Sequence, residues 1–531
     1  MSEKEYIVSI ENRDDLDQFY DQMESNKSTE FIPSKQFQVS DRREISRNTH
    51  YIMTDDEAAQ LRNDPRILAV EEPPENRGIK IEPCFTWDNT IHFDKGGVTS
   101  SDKVQWGILR CFSGKSSSAE YVGTWAAPFG KIDTGNEEGE NVDIVIVDGH
   151  IDPDHPEFAV NRDGTGGSRV VQYAWKAGYS YFGGSSTDND HGMHVAGIAA
   201  GNRQGWAVKS NIYNINPYDG QYGSSTLFDA IRTFHNAKTN GNPTVVNNSW
   251  TYVRFNSLPI NQVYYRGTLY EDVGYSDARD YGIHCPNTSH WKVSSIETAA
   301  DLDIADAIND GIIIVGAGNN FNMKITRDSS DADYNNYLKD GFGFQSPRYY
   351  ARGGSPIHTD NAICVGNAGF GFINGGSRND AKHSSSCKGP RIDIFAPGDR
   401  IQSSTKSLGI TDGRDSDYRQ NILTGTSMAS PQVAGVLACV VGVYRNFNQA
   451  DCLDWLISRS TKDQIYDSGS SNQDDSYNLL GAPQRYLHFH KERKLAGHVF
   501  PDMDRRVRDT HSTSSRQVYP RVKRNYNNGN S

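Results

Sequence analysis

The chain has 531 residues, 36% hydrophobic and 23% charged, with a formal net charge of -13. That length exceeds one average domain and can enclose a large core. The acidic balance excludes a general nucleic-acid binder and reads as a solvated surface. Seven cysteines stand singly, at 84, 111, 285, 364, 387, 439 and 452. Without a C-x-x-C pair, neither a dense disulfide framework nor a zinc ribbon is expected, and Cys439, inside an apolar run, reads as a buried free thiol.

The first residues, "MSEKEYIVSI", lack a basic stretch followed by an apolar one, so no secretory signal is expected. No uninterrupted apolar run reaches membrane-spanning length, so no membrane span is expected. "EYIVSI" reads as a strand. "RDDLDQFYDQM" carries Leu16, Phe19, Tyr20 and Met23 at helical spacing. "THYIMT" reads as a second strand. Thr54 and Glu57 form a T-x-x-E capping box for a second helix, and "RILAVEE" closes as a strand before Pro73 and Pro74. This strand, helix, strand, helix, strand order predicts a small α+β unit over residues 1–77. Residues 78–105 read as a linker, and the whole stretch from 76 to about 140, rich in Gly and Ser, reads as linker and surface.

From residue 141 the pattern changes. "VDIVIVDG", "SNIYNINPY", "PTVVNNSW", "GIIIVGAGNN", "NAICVGNAG" and "RIDIFAPG" are apolar runs of strand length. Helical stretches alternate with them, among them "HGMHVAGIAAG", stopped by Gly201, and "SSIETAADLDIADAIND". Alternation of this kind predicts a parallel α/β sheet covered by helices on both faces, over residues 106–487. Residues 488–531 ("KERK", "DRRVRD", "RVKRNYNNGNS") are basic and apolar-poor, a solvated end or a tail for an acidic partner.

Chemistry concentrates in three places. "TGTSMASPQVAG" puts Ser427 at the mouth of an apolar helix in which Val433, Val436, Leu437, Val440 and Tyr444 recur at helical spacing. Read alone, Ser427 is equally a helix cap. As a nucleophile it would gain the free backbone N–H groups of a helix start for developing negative charge, but it needs a base. His191 in "DNDHGMHVAG" is the candidate base, and Asp148, ending the strand "VDIVIVDG" at the carboxyl edge of the sheet, is its candidate orienting carboxylate. Asp, His, Ser is one of the chain orders in which such triads occur. A competing metal reading of His191 and His194 has spacing three rather than four and no H-E-x-x-H acid.

These segments resemble the three signature segments of the subtilisin-like serine proteases, the last almost letter for letter. "KHSSSCKGPRIDIFAPGDRI" and "YNLLGAPQRYL" resemble framework segments of that family, and the likeness spans residues 106–487. The 5–75 unit resembles its inhibitory propeptide. The resemblance implies a three-layer, parallel-sheet catalytic domain preceded by a ferredoxin-like prodomain, and a serine endopeptidase made as a self-processing zymogen, with the cut between Arg77 and about Lys103. It places Asn319 in the oxyanion hole. It gives substrate contacts at Gly220, Gly223, Ser249, Trp250, Thr251, Gly316 and Gly318. Trp250 either narrows the first specificity pocket or packs beneath it. The implied partners are polypeptide substrates and the chain's own propeptide, on a monomer without nucleic acid. No cofactor is expected, and no calcium at the short stretch "AAGNRQGWAVKSNIY", which lacks the calcium loop of some relatives; Asp328, Asp331 and Asp333 read as a solvated loop, a cation there being the lesser alternative. With no leader in view, a cytoplasmic or virus-particle location is expected. Departures from the family are Met193 for a Thr, and Gly149 and His150 where a hydroxyl residue follows the triad Asp. An insertion of about forty residues, 255–295, is expected beside the groove. These departures motivate an alternative, a lapsed protease serving as a binding or structural, possibly virion, protein.

Overall fold

The computed structural model describes residues 3–43, 45–84, 105–113, 138–175, 189–218, 226–339, 348–369 and 380–489. Six parallel strands form the spine of the largest sheet, in the spatial order Asn211–Ile215, Asp143–Val147, Thr244–Asn248, Ile313–Ala317, Ile363–Gly369, Ile394–Pro397. Their side chains alternate between two buried faces. Ile144, Ile146, Val245, Ile313 and Val315 join one core, while Val145, Val147, Val246 and Ile314 join the other. Burial on both faces is why these strands read as continuous apolar runs.

The helices Asn189–Ala200 and Thr426–Val443 cover the first face. Leu227–Ala237 and Thr298–Asn309 cover the second. Thr426–Val443 is long and apolar enough to cross a membrane, but 94% of it is buried inside the fold. The chain leaves Asp143–Val147 toward one sheet edge and later crosses to the other side. That strand therefore ends at the reversal of strand order, where open α/β sheets form a crevice.

The N-terminal unit is a four-stranded antiparallel sheet, Gln38–Arg42, Asn48–Met53, Lys4–Ile10 and Ile67–Glu71, with helices Leu16–Glu24 and Asp55–Leu61. Leu16, Phe19 and Met23 are buried against it. Thr54 and Glu57 make both hydrogen bonds of the capping box. The strand Gln38–Arg42 is additional to the five elements expected. It is a polar edge strand with no fully buried residue, so it carries no apolar alternation.

This unit docks on the helices Leu227–Ala237 and Thr298–Asn309 through polar groups. Arg43 bonds both Asp229 and Asp303, and Ser46 and Asn48 donate to Asp303 at 2.6 and 3.1 Å. Arg47 bonds Asp306 at 3.0 Å, Thr298 donates to Glu71 at 3.2 Å, and Arg77 bonds Glu297.

The stretch 76–140 is more than linker and surface. Lys80–Pro83 is a strand, and Trp106–Ser113 is a helix whose Trp106, Ile108 and Cys111 lie in the main core. Trp106 Nε1 donates to the Asp399 carbonyl at 2.9 Å. Only local composition hid this helix, because Gly- and Ser-rich sequence flanks it. At the other end Phe489 packs against Trp206 and Phe112. The basic tail beyond it lies outside the described residues.

Candidate active site

Asp148 follows the strand Asp143–Val147, its N–H donating to the Ile215 carbonyl at 3.0 Å. Asn214 Nδ2 ties down the turn, donating to the carbonyls of Asp148 and Gly149 at 3.2 Å each. His191 lies in the first turn of the helix Asn189–Ala200. That helix start is anchored by Asp190, whose carboxylate accepts from the N–H and hydroxyl of Ser407 at 3.1 and 2.9 Å.

Asp148 Oδ1 lies 2.7 Å from His191 Nδ1 and also accepts the Gly149 N–H at 2.7 Å. Both side chains are buried. A carboxylate at Nδ1 keeps the proton there and leaves Nε2 as the basic nitrogen. Asp148 Oδ2 is buried with no hydrogen-bond partner among the described residues. The backbone of Gly149 lies directly against Gly192: a Cβ on Gly192 would stand 2.0 Å from the Gly149 oxygen.

Ser427 is the second residue of the helix Thr426–Val443 and is fully buried. A helix start leaves backbone N–H groups without helical partners. Thr426 N–H donates to Asn320 Oδ1 at 2.9 Å, whereas Ser427 N–H donates to the carbonyl of Cys84 at 3.0 Å. Pro431, four residues on, has no N–H to offer the Ser427 carbonyl. That carbonyl instead accepts from the Ser249 hydroxyl at 3.0 Å. The Ser427 hydroxyl donates to the Ser249 carbonyl at 2.9 Å.

The groove is built on Trp250–Ser257. On one side this strand pairs with His290–Ser294, the last strand of the 255–295 insertion. On the other side it pairs antiparallel with Lys80–Pro83, Glu82 facing Thr251 and Pro83 facing Trp250. One residue further, Cys84 N–H donates to the Ser249 carbonyl at 3.0 Å. Glu82 also pairs with Lys292 of the insertion. Residues 80–84 of the same chain thus occupy the main-chain groups along one edge of the strand Trp250–Ser257 and at Ser249.

Trp250 has no exposed surface and packs with Phe228, Tyr252, Val145 and Val147, behind the strand. Thr251 donates its hydroxyl to the Ser355 carbonyl at 3.2 Å. Asn319 has a left-handed backbone, φ +77°. Its Nδ2 donates to Ser294 Oγ at 2.8 Å and its Oδ1 accepts the Asn320 N–H at 2.7 Å, so its amide is engaged with the insertion. Gly316 and Gly318 are demanded by packing: a Cβ on Gly316 would meet Ile357 at 2.5 Å, and one on Gly318 would meet the Val365 oxygen at 2.8 Å. Gly220 and Gly223 lie outside the described residues.

Met193 is buried in the main core, and its carbonyl accepts the Ser404 hydroxyl at 2.8 Å. His194 Nε2 bonds the carbonyls of Ile401 and Asn421 at 2.9 and 3.1 Å, which makes that nitrogen a donor. Burial lowers its pKa to about 3. A ring nitrogen used as a donor does not ligate a metal. Burial likewise lowers the pKa of His150. Asp331 and Asp333 are paired by Lys324, and Asp333 also by Arg266.

Sequence reasoning missed Asn214, Asp190, Asn320, Ser294 and above all Cys84. Each acts through contacts between distant segments. A polar residue flanking a motif, as Asp190 flanks His191, was the one signal available.

Residues 139–478 match the subtilase family (peptidase S8). The chain is similar to the subtilisin-like serine protease Pen c 2 of Penicillium citrinum, 24% identical over 396 residues covering 73% of this chain and 66% of that protein. It is also similar to alkaline protease 2 of Aspergillus fumigatus, 26% identical over 367 residues covering 69% of this chain and 56% of that one. The chain thus spans about two thirds or less of the length of these curated relatives. Among solved structures, it is similar to fervidolysin from Fervidobacterium pennivorans, at 15% identity and a TM-score of 0.49, covering 91% of this chain and 60% of that one. With the matched span covering most of the parallel sheet, both helices of the candidate site and all three of Asp148, His191 and Ser427, the chain belongs to the subtilase family.

Proposed function

We propose that the chain is a serine endopeptidase acting through Asp148, His191 and Ser427, made as a zymogen whose N-terminal unit is cut away by its own active site and inhibits it until it leaves. The observation that carries this reading is the Cys84 peptide carbonyl held on the Ser427 N–H at 3.0 Å, at the start of a buried helix. A peptide carbonyl so placed is polarised by the helix start, and negative charge developing on its oxygen is stabilised there. For reaction, the Ser427 hydroxyl turns from the Ser249 carbonyl toward His191 Nε2, which takes its proton. Asp148 stabilises the imidazolium. The acyl-enzyme formed on Ser427 Oγ is then hydrolysed by water. Asn319 supplies a second donor once its amide leaves Ser294, a contribution of about 3 kcal/mol. The reading takes polypeptides as substrates, with no cofactor or calcium, in a monomer.

The rotamer of Ser427, the engagement of Asn319 with Ser294 and the unpartnered Asp148 Oδ2 favour one other reading, a subtilase fold kept for binding. One experiment separates the two. Wild-type protein is expected to hydrolyse casein and to split near the linker, while Ser427→Ala does neither and stays at full length on a gel. Wild type that leaves casein and itself intact under all conditions would overturn the peptidase reading and leave the binding one standing.

A further inference from the structure

We infer that the self-cleavage falls between Cys84 and Phe85, and that residues 81–84, Ile-Glu-Pro-Cys, are the template for preferred substrates: a small apolar residue before the cut and an aliphatic one three positions earlier. The inference rests on the peptidase reading and adds to it the bond and the substrate class.

Main-chain bonding picks out the residue. A peptide presented for attack must place the carbonyl to be attacked on the donor beside the nucleophile, while its chain pairs in extended form with the groove strand. Among the described residues, Cys84 alone meets both demands. Its carbonyl accepts from the Ser427 N–H at 3.0 Å, and its N–H donates to the Ser249 carbonyl at 3.0 Å. The same Ser249 carbonyl accepts the Ser427 hydroxyl at 2.9 Å, which puts the nucleophile and the Cys84 peptide on a shared atom. The register then fixes the preceding residues: Pro83 opposite Trp250, Glu82 opposite Thr251, Ile81 opposite Tyr252, Lys80 opposite Val253.

Side chains supply the preference. The Cys84 side chain is enclosed, 3% of the residue being exposed, and burial raises its thiol pKa well above the ordinary value. An enclosed site of this kind accepts a small uncharged group and rejects a charge. Ile81 packs on the cluster that contains Trp250, Tyr252, Leu227 and Phe228. Glu82 faces outward, its side chain 38% exposed and paired with Lys292, so its position tolerates change.

In the reaction, Ser427 Oγ bonds to the Cys84 carbonyl carbon and gives its proton to His191. The Cys84–Phe85 C–N bond breaks, and the Phe85 amine leaves with that proton. Water then attacks the ester, delivering a hydrogen to Ser427 and leaving Cys84 with a free carboxylate. No co-reactant beyond water is required.

The full-length protein is incubated, and its products are read by intact mass and N-terminal sequencing, with casein hydrolysis measured in the same samples and Ser427→Ala as control. Two fragments are expected, residues 1–84 and a second beginning Phe85-Thr-Trp. Cys84→Ala is expected to keep this cut within about threefold of the wild-type rate, while Cys84→Asp and Ile81→Asp slow it more than about tenfold. Casein hydrolysis with a cut at any other bond, or with an intact chain, overturns the inference and leaves the peptidase reading standing. So does a Cys84→Asp chain cut after residue 84 at the wild-type rate. Loss of both activities overturns the peptidase reading and the inference together.

Discussion

Gly192→Ala tests the geometry on which catalysis would depend without touching a reacting group. The added Cβ would lie 2.0 Å from the Gly149 oxygen and 2.5 Å from its carbonyl carbon, where ordinary contact begins at 3.4 Å. The two backbones must therefore part by about 1.4 Å. Neither yields easily: Gly149 is held by Asn214 at 3.2 Å, and Gly192 lies within the helix Asn189–Ala200. Asp148 and His191 are the immediate chain neighbours of these glycines, so the separation falls on their 2.7 Å contact and takes it beyond hydrogen-bonding reach. Overpacking of this kind costs about 1–3 kcal/mol of stability. A misplacement of about 1 Å at reacting groups costs on the order of 100-fold in rate. The assay is steady-state hydrolysis of a peptide by the processed protein, alongside thermal unfolding. The expected result is a kcat lowered about 100-fold with KM little changed and a melting point lower by a few degrees. A variant within about threefold of wild type in kcat and unchanged in Tm would refute the close-approach reasoning.

Asp148→Asn is expected to keep the fold and KM while kcat falls by roughly four orders of magnitude, since an amide at Nδ1 favours the wrong imidazole tautomer; a loss below about tenfold refutes the assignment. Asp303→Ala removes a fully buried acceptor shared by Arg43, Ser46 and Asn48. It leaves the buried Arg43 charge under-matched, at a cost of about 3–5 kcal/mol. The cleaved N-terminal fragment should then be held roughly 100- to 5,000-fold less tightly, which co-elution on size exclusion reads out; unchanged retention refutes it. Retention should also fall as pH rises. Burial raises Glu297 from 4.5 to about 8, against the opposing Arg77 charge and with Glu71 adding to it, and burial raises Glu71 as well. Carboxylates raised in the docked state favour docking fully below their ordinary pKa, and that contribution is lost as pH climbs through the raised value. Equal retention at about pH 5.5 and about pH 8.5 would contradict this.

The parallel sheet was legible because strands such as Asp143–Val147 and Ile313–Ala317 are buried on both faces and so read as unbroken apolar runs. The candidate triad was legible because its residues sit at strand ends and helix starts, where apolar runs meet polar turns. Gln38–Arg42 was not, since an exposed edge strand needs no periodicity. Lys80–Pro83 was not, for a different reason. It is four residues long, ends in Pro, and is a strand by virtue of a partner about 170 positions away. The aim of Asn319 was hidden too, because Ser294, which holds its amide, is delivered by the insertion rather than by any motif.

If the chain is the zymogen proposed above, the same geometry sets a condition on its activation. While the chain is intact, Cys84 meets the Ser427 N–H as a neutral peptide carbonyl. Hydrolysis after Cys84 would convert that carbonyl into a carboxylate at a helix N-terminus, where negative charge is favoured by about 0.3–1 kcal/mol, and charge-assisted hydrogen bonds exceed neutral ones. Cutting the bond therefore tightens the contact in the groove instead of loosening it, and the strand pairing of Lys80–Pro83 with Trp250–Ser257 is left as it was. On the zymogen reading, release would depend on the polar contacts with the helices, where Arg43, Arg47 and Arg77 meet Asp229, Asp303, Asp306 and Glu297. If the chain is the zymogen proposed, cleavage and activation would then be separate events, the first governed by the groove and the second by the contacts of Arg43, Arg47 and Arg77 with the carboxylates they meet.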